Sequence, residues 1–372
     1  MRRINCLLGT IVVCTAAVVG LTAQTGSPLQ QPKSGAVYTM SNAAAGNAIL
    51  QFDMLSDGRL VPAGQVPTNG NGTGGGLGNQ GGVTLTRNEK WLLVVNAGSD
   101  TVSVLEVKHG LQFASETSSG GDRPISVTEN RGLVYVLNAG SDNITGFELD
   151  KHGRLWPLAG STRSLSGMGT DPAQVSFSPD GDVLVVTEKA TNKIVTFEVD
   201  RDGLPGMAQV HNSAGMTPFG FAFGKRDQLF VSEAFGGAPN ASATSSYEVD
   251  RDGGLTTISA SVPTRQTAAC WVAVTPNGRY AYVTNTGSGS ITGYRIDTNG
   301  ELSLLDPDGR TADTGAGSAP IDLAFTDSGR FVYVLNSGTH TIIGFRTHSD
   351  GSLTPLGFSV PVPASANGLA AR

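Results

Sequence analysis

The sequence predicts an all-β protein in which seven similar four-stranded sheets form a ring. One hydrophobic phrase recurs along the chain, for example as VYVLNAGSDNITGFELDKHGRLWPL at 134–158 and VYVLNSGTHTIIGFRTHSDGSLTPL at 332–356. The copies divide into short apolar runs joined by turns that often hold Asn-Gly or Asp-Gly pairs, which tight β-hairpins favour. The first copy lacks its first apolar run, and a similar run at 366–371 follows the last copy.

A polar residue ends the second apolar run of every copy, and these markers align the copies with one another. Neighbouring markers are 42 to 54 residues apart, a spacing found in propeller blades and in solenoid repeats. In the sixth copy the pattern predicts strands at 270–274, 280–284, 290–296 and 301–305. The seven markers are Asn42, Asn96, Asn138, Glu188, Glu233, Asn285 and Asn336.

The second strands distinguish between these architectures. The runs Leu92–Val95 and Val134–Leu137 are apolar at every position, which indicates strands that are covered on both faces. Propeller blades stack face to face around an axis and cover their middle strands in this way. The run at 366–371 would supply the first strand of the copy that opens at Ala36, so the ring would close without a free edge. The prediction is a seven-bladed β-propeller of four-stranded blades, closed by a C-terminal strand that joins the N-terminal blade.

The N-terminal residues predict export. Residues 1–23 combine Arg2-Arg3, a short apolar stretch and a small residue before Gln24, as secretory signal peptides do. A linker is predicted at 24–34 and the propeller at 35–372. The apolar stretch is too short to span a membrane. The protein is therefore expected to be secreted or periplasmic, and monomeric.

Charge and cysteine content exclude several kinds of partner. The full chain has a formal charge of −6 and no basic run, which argues against nucleic acid and anionic membranes as partners. Cys270 lies in the apolar segment TAACWVAVTP and is predicted to be buried packing. Asn71, Asn143 and Asn240 begin Asn-X-Ser/Thr triplets, which would matter in a host that glycosylates them.

Three short motifs resemble those of a known family. The strand 282–285 (YVTN) and the turns at 178–181 (SPDG) and 275–278 (TPNG) are similar to those of the lactonase family of seven-bladed propellers. That family includes the propeller type of 6-phosphogluconolactonase and the 3-carboxymuconate lactonizing enzymes. The resemblance covers residues 35–372 and implies the propeller fold, with activity on a small lactone.

The resemblance also implies where a site would lie. Enzymes of the family place a His at the start of a mid-chain first strand, an Arg after Pro at the starts of two later ones, and a Glu at the end of a second strand. The matching residues here are Ala173, Phe219, Ile321 and Glu233. Only the Glu is retained, so the resemblance does not extend to the basic groups that would hold a sugar phosphate.

Two carboxylates stand out among the markers. Glu188 and Glu233 interrupt the row of Asn on adjacent blades, and nearby carboxylates with different pKa values suit general acid–base catalysis. Their oxygens would equally suit Ca²⁺, and no other cofactor is predicted. A structural alternative is that Glu188 pairs with Lys189 or Lys193 and caps a turn, as the Asn markers are expected to cap theirs.

Five more residues on the same face are candidates for substrate binding. Arg123 would hold an anion or polarise a carbonyl, and Asp322 would serve as a ligand or an acid. Trp271 would stack on a sugar or else pack in the core. His340 lies in an exit loop and would act as a base, and Gln174 lies on the same face.

A glycine-rich segment, NGNGTGGGLGNQGG at 69–82, invites comparison with a phosphate-binding loop. It lacks the Gly-Lys-Ser/Thr ending and no helix follows, so the groups that would cradle phosphate are missing. The segment is predicted to be a mobile rim loop between blades one and two.

The sequence leaves two functions open. One is an exported lactonase that hydrolyses or forms a small cyclic ester at the channel mouth, with Glu233, helped by Glu188, as general base and Arg123 or backbone amides polarising the carbonyl. The other is a non-catalytic propeller that binds a glycan, a peptide or a protein through the same face.

Overall fold

A computed structural model describes residues 32–108 and 110–372. It confirms the all-β prediction, with seven sheets of four antiparallel strands, two of which carry a short extra strand. The predicted signal peptide at 1–23, and the linker up to residue 31, lie outside the described residues. Within the described ranges, no helix has the length and apolar character needed to cross a membrane.

The strands are numbered in chain order, and one turn of 3-10 helix occupies Phe235–Gly237. They are β1 Lys33–Met40, β2 Ala48–Leu55, β3 Leu60–Pro67, β4 Val83–Leu85, β5 Trp91–Asn96, β6 Thr101–Glu106, β7 Gln112–Ser118, β8 Pro124–Asn130, β9 Leu133–Asn138, β10 Asn143–Leu149, β11 Leu155–Pro157, β12 Arg163–Ser164, β13 Pro172–Phe177, β14 Val183–Glu188, β15 Lys193–Glu198, β16 Gln209–Asn212, β17 Pro218–Phe223, β18 Gln228–Glu233, β19 Ala243–Val249, β20 Leu255–Pro263, β21 Ala269–Val274, β22 Tyr280–Asn285, β23 Ser290–Ile296, β24 Leu302–Leu304, β25 Ala312–Asp313, β26 Pro320–Phe325, β27 Phe331–Asn336, β28 Thr341–Thr347, β29 Leu353–Pro361 and β30 Asn367–Ala371.

The predicted closure of the ring is confirmed. The C-terminal strand β30 pairs with β1, with Val37 opposite Ala371 and Tyr38 opposite Ala370. Blade 1 is therefore built from both ends of the described chain, in the order β3-β2-β1-β30. Blades 2 to 7 begin with β4, β8, β13, β17, β21 and β26 as their inner strands.

The second strands are buried on both faces, as their composition predicts. Every residue of β5, β14, β22 and β27 is buried. A bulky residue in each third strand fills the space between neighbouring blades, and all of these residues are at most 2% exposed. They are Phe52, Leu105, Phe147, Phe197, Tyr247, Tyr294 and Phe345.

The sixth copy shows where the strand prediction needs correction. Its third strand is confirmed at Ser290–Ile296, but the fourth strand, predicted at 301–305, covers only Leu302–Leu304. The edge resumes after a break as Ala312–Asp313. Pro307 lies in the break and cannot donate a backbone hydrogen bond to the ladder, so the chain leaves the sheet there.

The strand connections divide the ring into two faces. The upper face carries the turns between second and third strands and the links into the next blade, and the lower face carries the other two turns of each blade. Each inner strand contacts the next around the axis, from β4 through β30 and back to β4. The site described below lies at the upper end of this inner ring.

Candidate functional site

The glycine-rich segment 69–82 crosses the axis of the ring. Its last residues contact inner strands on distant blades, because Gln80 donates its backbone N–H to Ala173 O on blade 4 at 3.0 Å. Two blades further on, Trp271 Nε1 of blade 6 donates to Asn79 O at 2.7 Å. The prediction of a rim loop is therefore wrong: Gly78–Gln80 plugs the upper end of the channel. Local sequence rules gave no sign of these contacts, since the partners are up to 192 residues away.

Gln80 is the central residue of this plug. Its side chain pairs with the backbone of Val272, donating from Nε2 to the carbonyl at 2.7 Å and accepting the N–H at Oε1 at 3.1 Å. The side chain fills the space beside Gly220, where an added Cβ would lie 2.0 Å from Gln80 Oε1. Gly220 is thus glycine because the plug occupies the position that a side chain would take.

A repeating hydrogen bond links the inner strands at this level. Side chains on one blade accept the backbone N–H of the next, as Ser126 Oγ does from Val175 at 3.2 Å and Gln174 Oε1 does from Phe221 at 2.7 Å. On blade 5 the equivalent residue is Gly220, which has no side chain to accept such a bond. Gln80 Oε1 of the plug accepts the N–H of Val272 on blade 6 in its place. Gln174 and Trp271, both predicted site residues, lie at this level of the ring with Asp322, and each is buried.

Asp322 provides the bond between blades 7 and 1. Its Oδ1 accepts the N–H of Leu323 at 2.8 Å, and its carboxyl also accepts a backbone hydrogen bond from Leu369 of β30. Burial, which the two hydrogen bonds only partly offset, raises the pKa of this carboxyl to about 8. The group is thus protonated at neutral pH, and its position in the channel wall gives it a part in closing the ring.

Glu233, the predicted general base, is enclosed within blade 5. Its Oε1 accepts hydrogen bonds from Gly215 N at 2.8 Å and Ser245 Oγ at 2.5 Å, and its Oε2 accepts one from Ser261 Oγ at 2.6 Å. The side chain is buried, and this desolvation raises its pKa although the hydrogen bonds oppose the rise. In this arrangement the carboxylate joins the third and fourth strands to the loop that enters the blade.

Glu188 has separate partners in blade 4 and the link that precedes it. Ser166 donates to it twice, from N at 2.9 Å and from Oγ at 2.5 Å, and Thr191 Oγ1 donates at 2.5 Å. The two carboxylates share no hydrogen-bond partner among the described residues. The alternative pairing of Glu188 with Lys189 or Lys193 is not what the structure shows, because neither forms an ion pair with it.

Three of the five Asn markers, Asn96, Asn138 and Asn285, bind across their turns to the third strand. Asn42 instead donates to Thr73 Oγ1 and Gly75 O, and the side-chain amide of Asn336 has no partner among the described residues. Asn96 Nδ2 donates to the hydroxyls of Thr101 and Ser103 at 3.1 and 2.8 Å. Asn285 does the same with Ser290 and Thr292 at 3.1 and 2.9 Å. At Asn96 and Asn285 the partners are thus hydroxyls five and seven residues later, and not the turn backbone that was expected.

A group of charged residues at the channel mouth lies on blades 3 and 4. Lys189 Nζ donates to Gly78 O of the plug at 2.7 Å and to Pro172 O at 3.0 Å, and it is 3.3 Å from Asp171 Oδ1. Desolvation lowers the pKa of Lys189, and the nearby charge of Arg123 lowers it further although Asp171 opposes both effects. Arg123 is exposed and has φ of 53°, as the residue before its inner strand.

An aromatic row continues from Lys189 across blades 5 and 6. The ammonium lies 5.0 Å from the ring centroid of Phe219, which is 4.9 Å from the centroid of Trp271. Both rings are buried, so Trp271 packs in the wall and anchors the plug. Ala173, at the family's His position, is fully buried in the same apolar cluster.

The remaining predicted residues lie apart from this group. His340 is exposed in the turn between β27 and β28, with φ of 54°. Cys270 is buried, as predicted, and this burial raises the pKa of its thiol to about 12. Within 32–108 and 110–372, no group of three or more His, Cys, Asp or Glu is placed to hold a metal ion.

Sequence reasoning missed Asp171 as a mouth residue and Gln80 and Lys189 as the groups that hold the plug. The only sequence signal for Asp171 is its place directly before Pro172, and in the structure the residue before the inner strand has a positive φ on five blades. The five residues are Arg123, Asp171, Thr217, Ala268 and Ala319.

Fold and site together define a seven-bladed propeller with a plugged channel and a charged mouth. The family model described as lactonase, 7-bladed beta-propeller, matches residues 31–168 and 157–270, which is well over half of the chain. The chain therefore belongs to the lactonase family of seven-bladed β-propellers. No curated protein matches it.

Solved structures agree on the fold. A candidate 6-phosphogluconolactonase from Bacteroides fragilis is 19% identical with a TM-score of 0.72, over 91% of this chain and 98% of that one. A second from Bacteroides uniformis is 18% identical with a TM-score of 0.74, over 92% and 100%. A Lactobacillus plantarum protein is 16% identical with a TM-score of 0.73, also over 92% and 100%. At these identities the likeness concerns the fold alone.

Proposed function

We propose that this protein is an exported lactonase that hydrolyses a small, unphosphorylated lactone at the plugged mouth of its propeller. The observation that carries the proposal is the cluster of Lys189, Arg123 and Asp171 at the mouth, in a chain that belongs to the lactonase family. Ester hydrolysis needs a group that stabilises the developing oxyanion and a base that accepts a proton, and two cationic side chains with one exposed carboxylate suit these tasks. Export rests on the signal-like residues 1–23.

The chemistry follows from the placement of these groups. Water adds to the carbonyl carbon of the lactone, the ring C–O bond breaks, and a hydroxy acid and a proton are produced. Lys189 and Arg123 offer positive charge to the carbonyl oxygen as negative charge develops on it. Asp171 has a side chain that is 61% exposed and lies beside Lys189, so it is the carboxylate placed to take the proton from water.

The plug limits what this site would accept. Gly78–Gln80 closes the channel below Lys189, so a substrate would rest on the mouth rather than enter the axis. The family's basic positions are Ala173, Phe219 and Ile321 here, and none of them would hold a phosphate. A small neutral lactone fits these conditions better than a sugar phosphate.

Glu233 remains the competing general base, and one experiment separates it from Asp171. Proton release is followed with a panel of γ- and δ-lactones for the wild type, Asp171→Asn, Lys189→Met and Glu233→Gln. The proposal expects Asp171→Asn and Lys189→Met to lower kcat/KM by roughly 10²-fold or more. Asp202→Asn, in an exposed turn of the lower face, is the matched control and should retain full activity.

A second function is favoured by a specific observation. Both marker carboxylates have their oxygens occupied by hydrogen bonds, which suits a protein that binds a glycan, peptide or protein without catalysis. If the wild type turns over no lactone, the hydrolase proposal fails and this reading takes its place. If Glu233→Gln abolishes turnover while Asp171→Asn does not, the base is Glu233, as predicted from the sequence.

A further inference from the structure

A groove between blades 5 and 6 on the lower face carries an excess of positive charge. Its volume is about 440 Å³, and it is lined by residues 225, 226 and 228 of blade 5 and by 278, 279 and 295–298 of blade 6. Four cations line it, namely Lys225, Arg226, Arg279 and Arg295. None of the four has a carboxylate within ion-pair distance among the described residues, which is unusual in a chain with a formal charge of −6.

The cations are held in place by contacts within the protein. Arg279 and Arg295 both lie against the Tyr280 ring, with guanidinium carbons 5.9 and 5.4 Å from its centroid. Arg226 Nη1 donates to Thr298 O at 3.0 Å, which joins the blade 5 turn to blade 6. These contacts orient the guanidinium groups without neutralising them.

Lys225 is positioned by a glycine on the neighbouring blade. Its aliphatic stem crosses Gly278, where an added Cβ would lie 3.0 Å from Lys225 Cγ. Gly278 has φ of 73°, so the turn needs glycine for its conformation as well. The ammonium is thus brought from blade 5 to the edge of the blade 6 turn.

The one carboxylate in the groove lining has a structural task. Asp297 Oδ1 accepts the N–H groups of Asn299 and Glu301, each at 2.8 Å, and so caps the turn between third and fourth strands. Asp200 caps the equivalent turn of blade 4 in the same way. The capping carboxylate therefore belongs to the repeat, and it does not neutralise the four cations.

An equivalent groove elsewhere in the ring shows that the fold does not require this charge. The groove between blades 3 and 4 is formed by the same turns and measures about 530 Å³. There carboxylates outnumber cations in the lining, which holds Glu148, Asp180, Asp182, Asp200 and Asp202 beside Arg131 and Arg201. The groove between blades 2 and 3 also has four cations, but Glu129 and Asp150 lie among them. The blade 5–6 groove differs in having four cations beside a single carboxylate.

We propose that the blade 5–6 groove binds the oxyanion of a phosphate or sulfate ester. Guanidinium groups bind such oxyanions through two parallel hydrogen bonds, and Lys225 would add a point charge. The site is on the face opposite the channel mouth and does not depend on the proposed lactonase activity. Its ligand is either a small phosphorylated compound or a sulfated polymer, which share this chemistry.

The test is calorimetric titration of the purified protein with inorganic pyrophosphate and, separately, with a sulfated hexasaccharide. The double variant Arg279→Gln/Arg295→Gln should weaken binding at least tenfold. Lys151→Gln/Arg154→Gln removes two exposed charges from another lower-face turn and should leave affinity within about twofold. Affinity should also fall as salt rises.

Each outcome decides the proposal. Groove-dependent binding of pyrophosphate supports it with a small ligand, and groove-dependent binding of the hexasaccharide alone supports it with a polymer. No binding of either probe, or equal weakening in both double variants, overturns it. If the double variant fails to fold, the single change Lys225→Gln, at an exposed side chain, must weaken binding at least threefold for the proposal to stand.

Discussion

The plug makes a quantitative prediction about Gln80 and Gly220. Replacing Gln80 with Ala leaves the N–H and C=O of Val272 without partners, and Val272 is 1% exposed. Each buried backbone group left unsatisfied costs about 1–3 kcal/mol, so for the two groups the free energy of unfolding should fall by roughly 2–6 kcal/mol. Gly220→Ala would place a Cβ 2.0 Å from Gln80 Oε1 and 2.6 Å from Cys270 O, and overpacking of this kind costs about 1–3 kcal/mol.

The two changes should be coupled, because each relieves part of the other's effect. In the double variant the contact with Gln80 is gone and only the Cys270 carbonyl remains, so the combined loss should be smaller than the sum by about 1 kcal/mol or more. Urea unfolding of the four proteins measures this coupling. Gly75→Ala, in the same segment but with open space around it, is the control and should change stability by less than about 1 kcal/mol. Additive losses, or a Gln80→Ala protein as stable as the wild type, would refute the plug.

Three further predictions concern the channel wall and the markers. Because burial raises the pKa of Asp322 to about 8, the folded state keeps a proton that the unfolded chain releases near pH 4. The free energy of unfolding should therefore fall by about 2–3 kcal/mol between pH 6 and pH 9, and Asp322→Asn should remove that loss. If urea unfolding gives the wild type and Asp322→Asn the same dependence of stability on pH, the prediction is wrong. Glu233→Ala should lower the free energy of unfolding by roughly 3–5 kcal/mol, because it leaves buried donors unpaired. A variant as stable as the wild type in thermal unfolding would show that the carboxylate does not stabilise the blade. Trp271→Phe keeps the ring contact with Phe219 but loses the bond to Asn79 O, so stability should fall by about 1 kcal/mol and amide exchange in the plug should rise; unchanged exchange would count against the anchor.

Most of the fold could be predicted from the sequence because its signals are local and repeated. The apolar second strands, the Asp-Gly and Asn-Gly turns and the large third-strand residues each appear in several copies, so an error in one copy does not alter the result. The ring closure followed from one missing strand and one surplus strand. The structure places that strand at Asn367–Ala371, paired with β1. The break around Pro307 was missed because strand ends depend on how the edge packs and not on the apolar pattern alone.

The site was predictable only in part. The sequence placed Gln174, Trp271 and Asp322 on the face of the channel mouth, because blade alignment fixes their level in the ring. It could not show that Gln174 and Asp322 hydrogen-bond the next inner strand, since that bond joins residues from different blades. Likewise, Glu233 was recognisable as an unusual marker, but the partners that enclose it come from three separate segments.

The sequence by itself determined the class of fold, the number of blades and the closure of the ring, since period and strand pattern are properties of neighbouring residues. Only the tertiary structure decided the state of the channel. Gly78–Gln80 lies far along the chain from Val272 and Trp271, and nothing in its glycine-rich composition specifies a partner. Lys189 acquires its altered environment in the same way, because the plug, Asp171 and Phe219 surround it only after the blades assemble. Contacts between distant residues depend on the whole ring, and so the plug and the mouth are determined together by its packing.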